Sequence, residues 1–265
     1  MNDAASSLLQ TASHLRENSV FDPEATPGLR EELKGHWNSV WSKTIESKDG
    51  PRTVLCDSWF DKIFQQHNEK GRFYHTSVHL KEMLEYLEVL KQQCQVVTED
   101  QASPMVWATF FHDVVYDPKS SRNEKDSAIM FQQFGENVSM NSELTSVVVT
   151  MIEATEKHHV IPMKDQPEME EAQGLFLDLD MAVLGKTKAA DLAYAGLIRH
   201  EYAFVEHQTY CSKRAEILQT FLHVTKSIYA TEIFRTAMEA QARENLQSEI
   251  SLLQKGIIPG DEKED

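Results

Sequence analysis

Two stretches of the chain put histidine and aspartate where they could share chemistry. In GRFYHTSVHL, residues 71–80, His75 and His79 lie four apart. In FFHDVVYDP, residues 110–118, His112 and Asp113 end an apolar run. Positions four apart share one face of a helix, so His75 and His79 point the same way if a helix already covers both. Taken alone, that pair is more simply a helix start with two solvated histidines. His112–Asp113 is more demanding, because VWATFF before it is wholly apolar and places the pair at the end of a buried helix. A carboxylate there must be paired, hydrogen-bonded or metal-bound, since burying it alone is costly. A third stretch, LFLDLDMAVLG, embeds Asp178 and Asp180 among apolar residues, with no Lys or Arg before Lys186. The two are about 200° apart on a helix, so one is expected as a ligand and the other as a helix cap or an acceptor that orients a ligand. Together His79, His112 with Asp113, and Asp178 or Asp180 offer two imidazoles and two carboxylates. Such a set suits a divalent ion such as Mn, Fe, Co, Ni, Zn or Mg. A water bound to that ion becomes a strong nucleophile near neutral pH.

These residues need helices to hold them. TPGLREELKGHWNSVWSKTIE spaces Leu29, Leu33, Trp37, Val40, Trp41 and Ile45 as one helical face, and SWFDKIFQQH does the same with Trp59, Ile63 and Phe64. Leu80, Met83, Leu84, Leu87 and Leu90 form a stripe after the first histidine pair. SPMVWATFFHD is apolar nearly all round and predicts a central buried helix, with Ser103 as N-cap and Pro104 at the first helical position. Asn123 and Asn141 are expected as N-caps of the next two helices. Residues 159–173 read as the one long loop, and two or three long helices fill 187–255. No strand pair or internal repeat is evident, so the expected class is all-α. The expected organisation is a flexible arm over 1–25, one helical domain over 26–255 and an acidic tail over 256–265.

Composition narrows the partners. Asp and Glu total 42 against 26 Lys and Arg, a formal net charge of −16, which disfavours a nucleic-acid duplex or an anionic membrane. A small anionic substrate is still allowed, because a local cation or metal reverses the local sign. Only 10 Gly and 8 Pro in 265 residues argue for long helices with short connections. Cys56, Cys94 and Cys211 are widely spaced and include no CxxC pair, so neither a cysteine zinc site nor a disulfide framework is expected. With no apolar leader and no run of 18 apolar residues, the expected location is cytoplasmic.

The order His, His-Asp, distant Asp on an all-helical chain resembles the HD superfamily of metal-dependent phosphohydrolases. RFYHTSVHLKEML, FFHDVVYDP, NEKDSA, DLDMAVLG, IRHEYA and ARENL are similar to one branch of predicted HD-type hydrolases, over about residues 33–255. That branch typically shows Arg-x-Tyr-His-Asn-x-x-His, Phe-His-Asp, Asn-Glu-x-x-Ser-Ala and Asp-x-Asp-Leu. An isolated His-Asp pair is weak evidence, whereas the ordered set is specific. The resemblance implies a helical bundle with a metal site at a helix junction. His79, His112 and Asp113 match the first three metal ligands, and Asp180 the last, with Asp178 the runner-up. The Tyr-His-x-x-x-His block is also similar to cyclic-nucleotide phosphodiesterases, which implies His75 as the general acid. Thr76 departs from the branch's Asn, and Met181 from its Leu.

Other candidates follow. Glu124 is an expected general base that orients the water, against a plain first-turn helix glutamate. His158 fits a second metal or the substrate, as in HD proteins with two ions, whereas its neighbour His159 reads as a loop residue. Arg72, Arg199 and Tyr202 are expected phosphate contacts, with ion pairs to a neighbouring Glu the rival reading for Arg199 and Arg243. The expected activity is hydrolysis of a small phosphorylated substrate, a nucleotide or another phosphate ester, by a metal-activated water. Two rivals stand beside it: an HD-type di-iron oxygenase, and a catalytically silent nucleotide-binding module.

Overall fold

A computed structural model describes residues 12–45, 50–164 and 166–260. Among these residues there are eleven α-helices and one 3-10 segment, and no strand. In chain order they are α1 (Ser13–Glu17), α2 (Leu29–Thr44), α3 (Gly50–His67), α4 (Ser77–Gln92), α5 (Glu99–Phe111), α6 (Asn123–Val138), α7 (Ser142–Ala154) and α8 (Pro167–Met181). The 3-10 segment Ala182–Gly185 follows, then α9 (Lys188–Glu201), α10 (His207–Val224) and α11 (Glu232–Leu253). The all-α class expected from the sequence is what the chain adopts.

The middle of the bundle is α5, which packs against α2, α4, α6, α7 and α8. Its apolar residues surround it on every side, with Met105, Trp107, Ala108, Phe110 and Phe111 all buried. The start of this helix differs from the expectation. Thr98, not Ser103, is the N-cap, because Thr98 and Gln101 complete a reciprocal capping box. Pro104 therefore lies inside the helix, where it removes one backbone donor. α2 buries Leu29, Leu33, Trp37 and Val40, the three- and four-residue spacing of a single helical face. The Trp37 ring meets those of Trp107 at 4.9 Å, Phe110 at 5.2 Å and Phe134 at 5.5 Å, which joins α2, α5 and α6. Trp37→Ala is expected to cost about 3–5 kcal/mol in denaturant unfolding, as large cavities in aromatic cores do.

Three boundaries move. Residues 12–25 are not a free arm. Ala12, Leu15 and Phe21 are buried in the core, and Arg16 donates to the Gly185 carbonyl at 3.3 Å. The buried Lys186 ammonium, ion-paired with Glu82, also donates to the Asn18 carbonyl at 3.0 Å. The remainder of the predicted arm, residues 1–11, lies outside the described residues. Within the predicted tail, Ile258 is buried and Gly260 lies against Gly196. Positions 261–265 lie outside the described residues. The predicted loop over 159–173 ends early, because Pro167 starts α8 and its first turns keep an exposed acidic face. Asn141 caps α7 as expected, accepting from the Glu143 and Leu144 amides. Asn123 is instead the first residue of α6, and its side chain ties down the Asp117 backbone in the preceding turn. No described helix is long and apolar enough to cross a membrane.

Candidate metal centre

The end of α5, the start of α4 and the end of α8 meet at one point. There, ligand atoms of His79, His112 and Asp180 all lie within 4.8 Å of one another. His79 is in the first turn of α4, His112 caps α5 and Asp180 is in the last turn of α8. His79 Nε2 is 3.1 Å from Asp180 Oδ1, and His112 Nε2 is 3.6 Å from the same oxygen. Asp113 flanks the cluster, its Oδ2 3.1 Å from His112 Nε2 and 4.0 Å from His75 Nε2.

The imidazoles are held in a form suited to metal binding. His112 Nδ1 donates to the Thr109 carbonyl at 3.0 Å. A carbonyl only accepts, so Nδ1 carries a proton and Nε2 is the atom that faces the cluster. Buried His112 Nε2 has no hydrogen-bond partner despite its carboxylate neighbours, an orphan that a cation would satisfy. His79 Nδ1 meets the Tyr74 hydroxyl at 3.2 Å, and its Nε2 meets Asp180 Oδ1 at 3.1 Å. The donor set of imidazole and carboxylate in a buried pocket fits a borderline-to-hard divalent ion. Electrostatics agree. Burial would push the His112 imidazole down, but Asp113 and Asp180 reverse this and hold it well above its ordinary value. Burial would raise Asp180, yet His112, His158 and His79 hold it well below the carboxylate range. The two carboxylates thus favour positive charge here, which protons or a divalent cation can supply.

Asp178 and Asp180 part company. Asp178 turns the other way and accepts from the Ala230 amide at 2.6 Å, the Thr231 amide at 2.8 Å and the Thr231 hydroxyl at 2.5 Å. It anchors the start of α11 and is no ligand. Asp178→Ala is expected to lower stability by about 0.5–2 kcal/mol, the range for lost helix caps, and to leave metal content unchanged. A thermal melt beside a metal assay checks both halves. His158 joins the cluster from the far side, with Nε2 3.0 Å from Asp180 Oδ2. Its backbone is left-handed, φ 46°, where the chain leaves α7 and turns back toward α8. His159 is exposed and lines a different pocket.

His75 lies before the helix, not on it. α4 begins at Ser77 with Thr76 as N-cap, the Thr76 hydroxyl accepting from the Val78 amide and donating to the Phe21 carbonyl. Thr thus performs the capping that Asn would perform. His75 nonetheless faces the same cavity, 6.3 Å ring to ring from His79. What aims it is Glu201, in the last turn of α9. Glu201 Oε1 accepts from the backbone amides of Phe73, Tyr74 and His75, and Oε2 from His75 Nδ1 at 2.7 Å and the Tyr116 hydroxyl at 2.7 Å. Burial would raise this carboxyl, but His75 and the amides bring it down to about 2. The Tyr116 ring stacks on His75 at 4.3 Å, closing its other face. No sequence pattern marks Glu201, Tyr116 or Tyr74 as site residues. The one local hint for Glu201 is an acid in the last turn of an apolar helix, where the helix dipole opposes it.

Three expected phosphate contacts are not in the cavity. The Arg72 guanidinium donates to the carbonyls of His75, Asp113 and Val114 at 3.1, 2.7 and 2.9 Å. It clamps the two motif segments together through both terminal nitrogens, and its Nε is buried without a partner. Arg199 donates to the Tyr202 and Val205 carbonyls and lies over the Tyr210 ring, with no glutamate ion pair among the described residues. Tyr202 packs beside Phe204 and Tyr210. Arg243, by contrast, makes the expected same-helix pair with Glu239. Glu124 opens α6 and lines the cavity with His75, Asp113, His158 and Asp180. No protein-family model, curated protein or solved structure matches this chain. What stands is a helical protein whose His79, His112 and Asp180 could hold a metal ion.

Proposed function

We propose that the protein is a metal-dependent phosphohydrolase of the HD type, acting on a nucleotide or another small phosphate ester. The observation that carries this reading is the orphaned His112 Nε2 facing Asp180 and His79, with Asp113 alongside. A divalent ion held there supplies Lewis acidity and lowers the pKa of water. The protein's own groups do the rest. His79, His112, Asp113 and Asp180 hold the ion. His75, fixed through Nδ1 by Glu201, presents Nε2 to the cavity and protonates the leaving oxygen. Glu124, on the same cavity, orients the attacking water.

A second reading has its own support. Asp180 offers Oδ1 to His79 and His112 but Oδ2 to His158, so His158 could help hold a second ion beside the first. Two irons so held would permit oxygenase chemistry. A panel of phosphate esters assayed with Mn, Co, Ni, Zn, Mg and Fe(II) tests the first reading. Turnover that His112→Ala abolishes in a folded protein supports it. Absence of turnover with every metal, together with a mixed-valence iron signal in electron paramagnetic resonance, replaces it with the second. The silent-module reading had only Thr76 behind it, and Thr76 keeps the capping role.

A further inference from the structure

The cavity at the metal cluster has a mixed lining. His75, Asp113, Glu124, His158 and Asp180 are its polar part. Met181, Val183, Leu184, Leu218, Phe221 and Leu246, from α8, the 3-10 segment, α10 and α11, are its apolar part. Its volume is about 310 Å³, near the lower limit for small-molecule sites. A single Lys or Arg side chain, Arg214 on α10, lines it among the described residues. Arg72 and Arg199 are committed to backbone carbonyls elsewhere.

Arg214 is built in rather than loose. Its Nε donates to Glu249 Oε1 at 2.9 Å, its side chain is 18% exposed, and the rest of the guanidinium faces Tyr194 and the cavity. The Tyr194 ring packs on Tyr74 at 4.6 Å, and Tyr74 in turn carries the hydroxyl that meets His79. Arg214 lines the same cavity as Asp113 and Asp180, but its ion pair is with Glu249, not with either of them. This guanidinium is not claimed by the cluster's carboxylates, so it can meet another part of the ligand.

We infer that the substrate is a small phosphate ester with an apolar alkyl or aryl body and a distal carboxylate, which Arg214 receives. The inference rests on the phosphohydrolase reading and narrows it. The apolar walls reward a hydrocarbon body, whereas the donors and acceptors of a ribose or base would face them unpaired. A planar guanidinium matches a carboxylate in geometry. With Glu249 already on Nε, Arg214 suits a monoanion better than a second, dianionic phosphate.

Binding of two phosphonates that cannot be hydrolysed tests this. The full-length protein, equilibrated with Mn(II), is titrated calorimetrically with hexylphosphonate and with 6-phosphonohexanoate. The carboxylated ligand is expected to bind about tenfold tighter or more, as a charge-assisted contact confers. R214Q is expected to erase that difference and keep the hexylphosphonate affinity. If R214Q unfolds, R214M/E249M removes both partners of the ion pair, with Asp191 the buried acid that remains beside it. Equal affinities in the wild type, a preference that survives in the variants, or no binding of either ligand overturns the inference. The matching phosphate esters are assayed in parallel. A retained Arg214-dependent preference without turnover of any ester counts against the hydrolase reading alone.

Discussion

Asp180→Asn is expected to remove metal binding and hydrolysis together while leaving the protein folded. Asp180 is the hub of the cluster, with Oδ1 shared by His79 and His112 and Oδ2 taken by His158. Asparagine keeps the shape but exchanges one anionic oxygen for a donor NH₂ group, which repels both a cation and a protonated imidazole. Residues that merely orient a ligand cost roughly 10- to 100-fold in metal affinity. Loss of the shared carboxylate is expected to exceed that, with activity falling at least about 10³-fold. Metal analysis, turnover and a circular dichroism melt on the same sample separate this outcome from unfolding. Comparison with Asp178→Ala sharpens it. The two aspartates are two residues apart in one helix, yet only the Asp180 variant is expected to lose metal, because Asp178 is bonded to the start of α11.

The second large effect is expected at Glu201, which touches no metal ligand among the cluster of His79, His112 and Asp180. Its carboxylate gathers three successive backbone amides, His75 Nδ1 and the Tyr116 hydroxyl. Glu201→Gln sets an amide NH₂ against either His75 Nδ1–H or the Tyr116 hydroxyl, so the imidazole loses its tautomer or its aim. A fall in kcat of about 10²-fold is expected, within the range for general-acid catalysis, with metal content unchanged. Leaving-group dependence is the telling readout. If His75 delivers the proton, an ester with an acidic phenol leaving group loses much less than one with an alkyl alcohol. An equal loss on both would reduce Glu201 to a structural anchor of residues 73–75.

The helical fold was legible because the apolar spacing is regular. Leu29, Leu33, Trp37 and Val40 lie on one buried face, and α5 is apolar all round and central, as its composition requires. The boundaries were less so. Ser103-Pro104 imitates a helix start, but the Thr98–Gln101 capping box lies one turn earlier and is satisfied on both sides. The docking of residues 12–25 depends on Arg16 and Asn18 meeting Gly185 and Lys186, contacts about 170 residues apart that no local pattern announces.

The cluster itself was legible as three buried motifs with nothing nearby to neutralise their acids. Its separation of Asp178 from Asp180 was not, because a 200° difference on a helix says that the two diverge but not which one faces inward. The arginines were misread for a related reason. Arg72 and Arg199 sit in the right segments, but backbone carbonyls claim them. Arg214, on α10 and outside every motif, is the one that reaches the cavity.

The most direct measurement is the metal content of the purified protein after equilibration with Mn(II) and removal of excess ion, taken for the wild type, Asp180→Asn and Asp178→Ala. A site at His79, His112, Asp113 and Asp180 gives at least one tightly held ion per chain in the wild type and in Asp178→Ala, and none in Asp180→Asn. No retained ion in a folded wild type, or equal retention in all three proteins, would contradict a metal centre at this junction.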